Sequence, residues 1–476
     1  MALTPKGLLI GNQWLSSPDS YTLLNPYTGE EIVKIPIATE ELLERGIQSA
    51  HETFKLTSQQ AAFERSDLLR AIAAELERCR GDFIEALITE AGKPITFAET
   101  EVSRAVMTFT IAAEEARHQE GHLLDMDALS PGKEHFGLTK RFPLGVIAGI
   151  TPFNFPLNLV AHKVAPCLAT GNTMLLKPAA KTPLCSLLLG EVLLKAGMTP
   201  GQVNIMPCSN ELAGKLITDD RIKKISFTGS PEVGWRLKAG CGRKKITLEL
   251  GGNAGVIVHS DADWEAAIPS IATGGFSYAG QSCISVQRIL VQESIFEAFK
   301  ARFVEQVKSK IKTGDPRERD TTVGPLIDKG SLTRIHTWVQ EAVEQGARVL
   351  VGGKLKGNCF EATVLDSVKS EMKVCAQEVF APVVTLQSYK TFEEALTMVN
   401  DSRYGLQAGV FTKDIKQAFK AFAELEVGGV LINQVPTFRV ENMPYGGVKD
   451  SGFGREGVRF AMEEMTELKA CIFNLK

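Results

Sequence analysis

A handful of residues in this 476-residue chain have the type and setting to do chemistry together. Cys283 stands in Gly280-Gln281-Ser282-Cys283-Ile284-Ser285, shortly after Gly274-Gly275, where small neighbours let backbone and substrate come close. A thiolate there would be a nucleophile toward a carbonyl carbon. Thirty-four positions earlier, Glu249 ends an apolar run inside Thr247-Leu248-Glu249-Leu250-Gly251-Gly252-Asn253. A carboxyl flanked by leucines is costly to desolvate, so it is either partnered or poised with a raised pKa as a general base. Asn154 is held between aromatics and prolines in Thr151-Pro152-Phe153-Asn154-Phe155-Pro156, where a side-chain N–H can steady an oxyanion. Lys177 closes a strand at Leu176-Lys177-Pro178, and Thr228-Gly229-Ser230-Pro231-Glu232-Val233-Gly234 turns from strand to helix. Such a turn offers glycine backbone and a helix N-terminus to a phosphate. Taken singly, each has an ordinary structural alternative: an inert core cysteine, an ion pair, an amide satisfying its loop, a solvated lysine, a plain turn.

These residues need elements to position them. From about residue 139, short apolar strands at 146–150, 173–176, 203–206, 224–227 and 246–248 alternate with helical stretches, as in βαβ units of a parallel sheet. A second alternation over 254–432 has strands at 255–258, 288–291 and 383–386, and helices near 294–311, 331–345, 391–400 and 415–424. Before them, residues 8–34 read as short hairpin strands, and 39–119 as helices interrupted by the stop signal Gly92-Lys93-Pro94. The fold class is therefore α/β with two such domains.

Composition excludes other classes. The chain is 44% hydrophobic and 23% charged, which is ordinary for a globular protein. A net charge of −3 leaves no basic footprint for nucleic acid. No run of about 18 apolar residues suggests a membrane span, and the opening Met1-Ala2-Leu3-Thr4-Pro5-Lys6 does not read as a secretory leader, so a cytoplasmic protein is expected. Nine cysteines, an odd number with no CxxC pair, give neither a disulfide framework nor a zinc site, and no metal is expected.

Seven motifs in order resemble the aldehyde dehydrogenase superfamily over essentially the whole chain. They are Pro-Phe-Asn-Phe-Pro at 152–156, Lys-Pro at 177–178, Phe-Thr-Gly-Ser at 227–230 and Leu-Glu-Leu-Gly-Gly-Asn at 248–253. Gly-Gln-Ser-Cys at 280–283, Gln-Glu-Val-Phe-Ala-Pro at 377–382 and Pro-Tyr-Gly-Gly-Val-Lys-Asp-Ser-Gly-Phe-Gly-Arg-Glu at 444–456 complete the set. The resemblance implies two Rossmann-like α/β domains plus a small β element for oligomerisation. The cofactor-binding domain would span 1–121 and 143–250, and the catalytic domain 251–432. Residues 122–142 and 465–476 would form bridging strands that build a homodimer or homotetramer, and 433–464 would return to the cofactor domain.

It further implies oxidation of an aldehyde to its acid with NAD or NADP. Cys283 would form a thiohemiacetal and then a thioester, Asn154 and the Cys283 backbone N–H would hold the oxyanion, and Glu249 would activate the hydrolytic water. Lys177 would meet the adenosine ribose, Ser230 the pyrophosphate and Glu378 the nicotinamide ribose beside Phe380. Ile150, Pro152, Gly229 and Gly234 would complete the cofactor wall. Relatives that prefer NAD commonly carry Glu where this chain has Ala180. Ala180 followed by Lys181 therefore reads as permissive of a 2′-phosphate, and Phe153 replaces a common Trp. Arg104, His162 and Arg439 fall on segments bordering the acyl entrance, while Arg288 reads as structural. The loop 439–447 and helix 104–115 look most like the lactaldehyde subgroup, with non-phosphorylating glyceraldehyde-3-phosphate and succinate-semialdehyde dehydrogenases close behind. A small polar aldehyde is the expected substrate. The alternative of acyl transfer to coenzyme A is disfavoured by the presence of Glu249.

Overall fold

The computed structural model describes residues 5–118 and 121–476. The first four residues, on which part of the leader reading rests, lie outside the described residues, as do 119 and 120.

Two parallel sheets dominate. In the first, Val203–Ile205, Thr173–Lys177, Val146–Ile150, Ile222–Thr228 and Lys245–Glu249 lie side by side and parallel in that order. Antiparallel edges are added by Leu8–Ile10, which pairs with Gln13–Leu15, and by Gly452–Phe453. Every residue of Val146–Ile150 and Thr173–Lys177 is buried, as expected of strands covered by helices on both faces. The chain runs outward from Val146–Ile150 to Val203–Ile205 and then returns to place Ile222–Thr228 on the opposite flank. Strand order therefore reverses between Val146–Ile150 and Ile222–Thr228, and open α/β sheets bind ligands at the carboxyl ends of such a reversal.

The second sheet has the order Arg348–Val351, Thr363–Asp366, Val383–Tyr389, Val286–Gln292, Ala254–Val258, Gln407–Phe411, Gly429–Ile432, antiparallel only at its first pair. The three strands legible in the sequence form its centre. Arg348–Val351, Thr363–Asp366, Gln407–Phe411 and Gly429–Ile432, which flank that centre, were not legible in the sequence.

Helices fill the N-terminal stretch. Thr39 caps Glu40–Thr57, accepting the Leu42 N–H, and Gly92 ends Arg80–Ala91 in the left-handed region at φ 60°. Ile95–Glu115 packs on Ala62–Arg78 and Asn158–Ala169. A third sheet stands apart: Thr466–Asn474 runs antiparallel to His135–Pro143 along nine residue pairs, with Leu123–Leu124 on the far side. Its Leu123, Leu468, Ile472 and Phe473 are exposed.

Candidate active site

The carboxyl ends of the first sheet and the facing loops of the second half enclose a cleft of about 700 Å³. From the first sheet come Ile150, Pro152 and Asn154 after one strand, Lys177 and Ala180 after the next, Gly229 and Ser230 after the third, and Glu249 at the fourth. The second half contributes Cys283, Glu378 and Phe380. Eleven sequence-designated residues thus share one cavity.

One end is shaped for a dinucleotide. Helix Pro231–Gly240 points its N-terminus into the cleft, and the Ser230 side chain at its N-cap makes no capping bond, so hydroxyl and N–H groups face outward together. A Cβ on Gly229 would lie 2.6 Å from the Phe227 ring, so glycine is required where backbone approaches the ligand. Lys177 donates to Asn210 Oδ1 at 3.0 Å, and burial lowers its pKa. Glu378 accepts the Gly252 N–H at 2.9 Å, while burial pushes its carboxyl up to about 7. A Cβ on Gly251 would stand 2.4 Å from that carboxylate. This donor set and the glycine-lined approach fit NAD or NADP.

Two expected cofactor residues are not on this wall. Lys181 turns across the boundary toward Asp328, 3.7 Å away, because the loop it occupies faces the second half. Gly234 faces the other way: a Cβ there would strike Leu250 at 2.4 Å, so its role is close helix–strand packing. Glu211 and Arg236, which the sequence reading passed over, do line the cleft.

At the opposite end sits Cys283, partly open to the cleft, whereas Cys471 is exposed and the other seven cysteines are buried. The turn before it is strained. Tyr278, Ala279 and Gly280 are consecutively left-handed, at φ 51°, 55° and 66°, costing about 1–2 kcal/mol for each non-glycine. Gln281 pins the turn, donating to Pro325 O at 3.2 Å and accepting the Ile327 N–H at 2.9 Å. Burial pushes the Cys283 thiol up to about 12. Asn154 is 3% exposed and spends one N–H on Gln281 O at 3.0 Å. An amide nitrogen has two hydrogens, so one remains for a ligand. The Cys283 backbone N–H donates to no described protein group. Both Glu249 oxygens are buried without hydrogen-bond partners. Burial first, then the Glu456 charge, holds that carboxyl's pKa well above its ordinary range.

The three residues expected near the acyl entrance meet in one buried network, through partners the sequence did not single out. Arg104 Nε donates to Glu441 at 2.7 Å, and His162 Nε2 lies 2.5 Å from the same carboxylate. Arg439 donates to His162 Nδ1 at 2.8 Å and lies 3.6 Å from Glu456. Arginine can only donate, so Nδ1 carries a lone pair and His162 is neutral; burial, then Arg439, lowers its pKa. Lys163 bonds Glu456 at 2.8 Å. Arg104, Lys163 and Arg439 thus face Glu441 and Glu456 beside a neutral histidine, in a network that backs the cleft without lining it, and Arg439 Nε has no hydrogen-bond partner. Arg288 binds only main-chain carbonyls, those of Asn253, Met398 and Val399, as a structural residue would.

Behind Asn154 lies a further buried pair with no local signal to mark it. Lys93 bonds Glu101 and the Asn154 carbonyl (2.7 Å), beneath the Phe155 and Tyr278 rings. Glu101 in turn accepts the N–H groups of Leu157 and Asn158 at 3.0 and 3.1 Å. Among the described residues no cluster of His, Cys, Asp and Glu could hold a metal, and no helix is long and apolar enough to cross a membrane.

The sequence model of the aldehyde dehydrogenase family matches residues 14–471. A 3-sulfolactaldehyde dehydrogenase of Priestia aryabhattai is 41% identical over 470 residues, 98% of each chain. Among solved structures, aldehyde dehydrogenase 21 of Physcomitrella patens, in complex with the reaction product succinate, superposes with a TM-score of 0.96 at 41% identity, covering 99% of both chains. The glyceraldehyde-3-phosphate dehydrogenase GapN of Methanocaldococcus jannaschii, complexed with NADP, gives 0.92 at 37% identity, over 96% of this chain and 100% of that one.

Proposed function

The chain belongs to the aldehyde dehydrogenase family and is an NAD(P)-dependent enzyme that oxidises aldehydes; we propose that it makes the free acid through a Cys283 thioester, from a small polar aldehyde. The observation that carries this reading is the meeting of Cys283, Asn154 and Glu249 at one end of the dinucleotide cleft, with one Asn154 N–H and both Glu249 oxygens unclaimed.

In the proposed sequence, the Cys283 sulfur bonds to the carbonyl carbon, and the resulting oxyanion accepts from Asn154 Nδ2 and the Cys283 N–H. An aldehyde carbon does not release hydride readily as a carbonyl; the tetrahedral oxyanion does. NAD(P)+, which Lys177, Ser230 and Glu378 would hold, would supply the hydride acceptor, and the acyl group would be left on the Cys283 sulfur. Glu249 then takes a proton from water, the water oxygen bonds to the acyl carbon, and the carbon–sulfur bond breaks to release the acid. The raised pKa of Glu249 suits a base, because a carboxylate of ordinary acidity is a weak proton acceptor. Glu249 also favours water over coenzyme A as the acyl acceptor.

For the substrate, we infer an aldehyde of the lactaldehyde type, preferably with an anionic far end. Arg439, whose Nε has no hydrogen-bond partner and whose charge acts on Cys283, supports an anion near that end of the cleft. The relatives' names agree in kind, since sulfolactaldehyde and glyceraldehyde 3-phosphate each pair an aldehyde with an anion. The exposed third sheet, apolar at Leu468, Ile472 and Phe473, is proposed to pair copies of the chain.

The test is NAD and NADP reduction over lactaldehyde, 3-sulfolactaldehyde, glyceraldehyde 3-phosphate, succinate semialdehyde and uncharged alkyl aldehydes. The proposal expects free acid and the highest kcat/KM among the small polar, anionic members. Best turnover with long alkyl aldehydes, or an acyl-CoA product in place of acid, would overturn it.

A further inference from the structure

Among the described residues, one polar side chain stands within hydrogen-bond distance of the Cys283 sulfur: Tyr445, whose hydroxyl oxygen is 3.1 Å from Sγ. Tyr445 is 3% exposed, and its hydroxyl has no other hydrogen-bond partner. Its backbone is fixed by reciprocal bonds with Glu456, at 2.9 and 2.6 Å. The Arg439 guanidinium lies over the ring, its carbon 3.6 Å from the ring centroid. The phenol is thus held against the sulfur with a cation on its π face.

We propose that Tyr445 is a further catalytic residue, donating its O–H to the Cys283 sulfur and so stabilising the thiolate that attacks the aldehyde. The proposal rests on the nucleophilic role assigned to Cys283 above. Every other influence on that sulfur save one opposes ionisation. Burial is the largest, and the Glu378 and Glu249 carboxyls add to it, while Arg439 favours the thiolate. A phenol donating to an anionic sulfur makes a charge-assisted bond, stronger than the neutral contact in the resting thiol. Arg439 over the ring withdraws electron density and makes the hydroxyl a better donor. Burial also keeps the phenol protonated well above its ordinary range, so it remains a donor throughout the working pH range. On activation the S–H bond breaks and its proton passes to water, while Tyr445 keeps its own. The same bond forms again when the thioester breaks and sulfur departs with the electron pair.

The test needs neither aldehyde nor cofactor. Iodoacetamide alkylation of the peptide containing Cys283 is followed by mass spectrometry across pH, for the full-length protein and for Tyr445→Phe. Phenylalanine retains the ring and its cation, so only the hydroxyl is lost. Losing a hydrogen bond to a charged group moves the alkylation profile upward by about one to two pH units, a ten- to hundredfold slower reaction below both midpoints. A second measurement guards against a misfolded variant: global replacement of tyrosine by 3-fluorotyrosine, a more acidic phenol, shifts the profile of the otherwise unaltered protein downward. An unmoved profile in either experiment overturns the role of Tyr445. Failure of the wild-type protein to oxidise any aldehyde, with the profile shifts intact, would instead overturn the proposed function.

Discussion

Replacing Asn154 by alanine isolates the oxyanion contribution. The side chain is buried and holds one N–H on Gln281 O at 3.0 Å, leaving the other free at the cleft. Its backbone is fixed separately, through the Lys93 bond to its carbonyl, so the loop keeps its course when the amide is removed. Loss of one preorganised donor in a water-excluded site costs about 3–4 kcal/mol of transition-state stabilisation, or about 10²–10³ in kcat. The oxyanion exists only after sulfur has attacked, so the loss should fall on kcat and kcat/KM together, with KM little changed. A separate and smaller effect is expected on stability: the Gln281 carbonyl loses its partner, at about 1–3 kcal/mol. The assay is rapid-mixing measurement of the first-turnover NAD(P)H burst, alongside denaturant unfolding. A folded Asn154→Ala protein with kcat within about threefold of wild type would refute the reasoning. So would a loss expressed wholly in KM.

Glu249→Gln should retain the first-turnover burst while steady-state turnover falls by about 10²-fold or more, since only hydrolysis needs the base. Because burial holds the proton on Glu249 above the ordinary carboxylate range, its base form grows as pH rises, and wild-type turnover should climb with pH on a limb that Glu249→Gln abolishes. The folded state binds this proton more tightly than the unfolded chain, so Glu249 costs stability increasingly as pH rises from the ordinary carboxylate pKa through the folded one; Glu249→Gln should melt higher than wild type over that range in calorimetry. Lys93→Met strands the Glu101 carboxylate in a fully buried site and should cost about 3–5 kcal/mol by denaturant titration, with Glu101→Gln restoring part of it. Ala180→Glu places a carboxylate on the cleft wall near Lys177 and should raise KM for NADP by about tenfold or more while sparing NAD, as read from parallel saturation curves.

The parts of this molecule legible in the sequence are those built from local signals. Strands such as 146–150 and 224–227 announce themselves by apolar runs between turn residues, and the residues at or just beyond strand ends, Asn154, Lys177, Ser230 and Glu249, fall into the cleft as the carboxyl ends of an open α/β sheet do. Cys283 was found by its small neighbours and its motif. What escaped was set by long-range pairing. Glu441 and Lys163 look like surface or packing residues in isolation, and Tyr445 and Glu456, though part of the 444–456 motif, acquire individual roles only when Arg439 and His162 meet from 277 positions apart. Lys93 reads as part of a helix stop, yet it is a fully buried cation. Lys181 shows the same limit: its charge is legible in the sequence, but the nearby carboxylate of Asp328, 147 positions away, is not.

The most direct test of the central claim is to trap the acyl group. Glu249→Gln protein, supplied with NAD(P)+ and a turned-over aldehyde, is quenched in acid and digested, and the peptides are weighed. The account predicts one acyl mass added on the peptide containing Cys283, stoichiometric with the NAD(P)H burst, and neither adduct nor burst in Cys283→Ala. Acid production that persists in Cys283→Ala, or a burst with no adduct on that peptide, would contradict it.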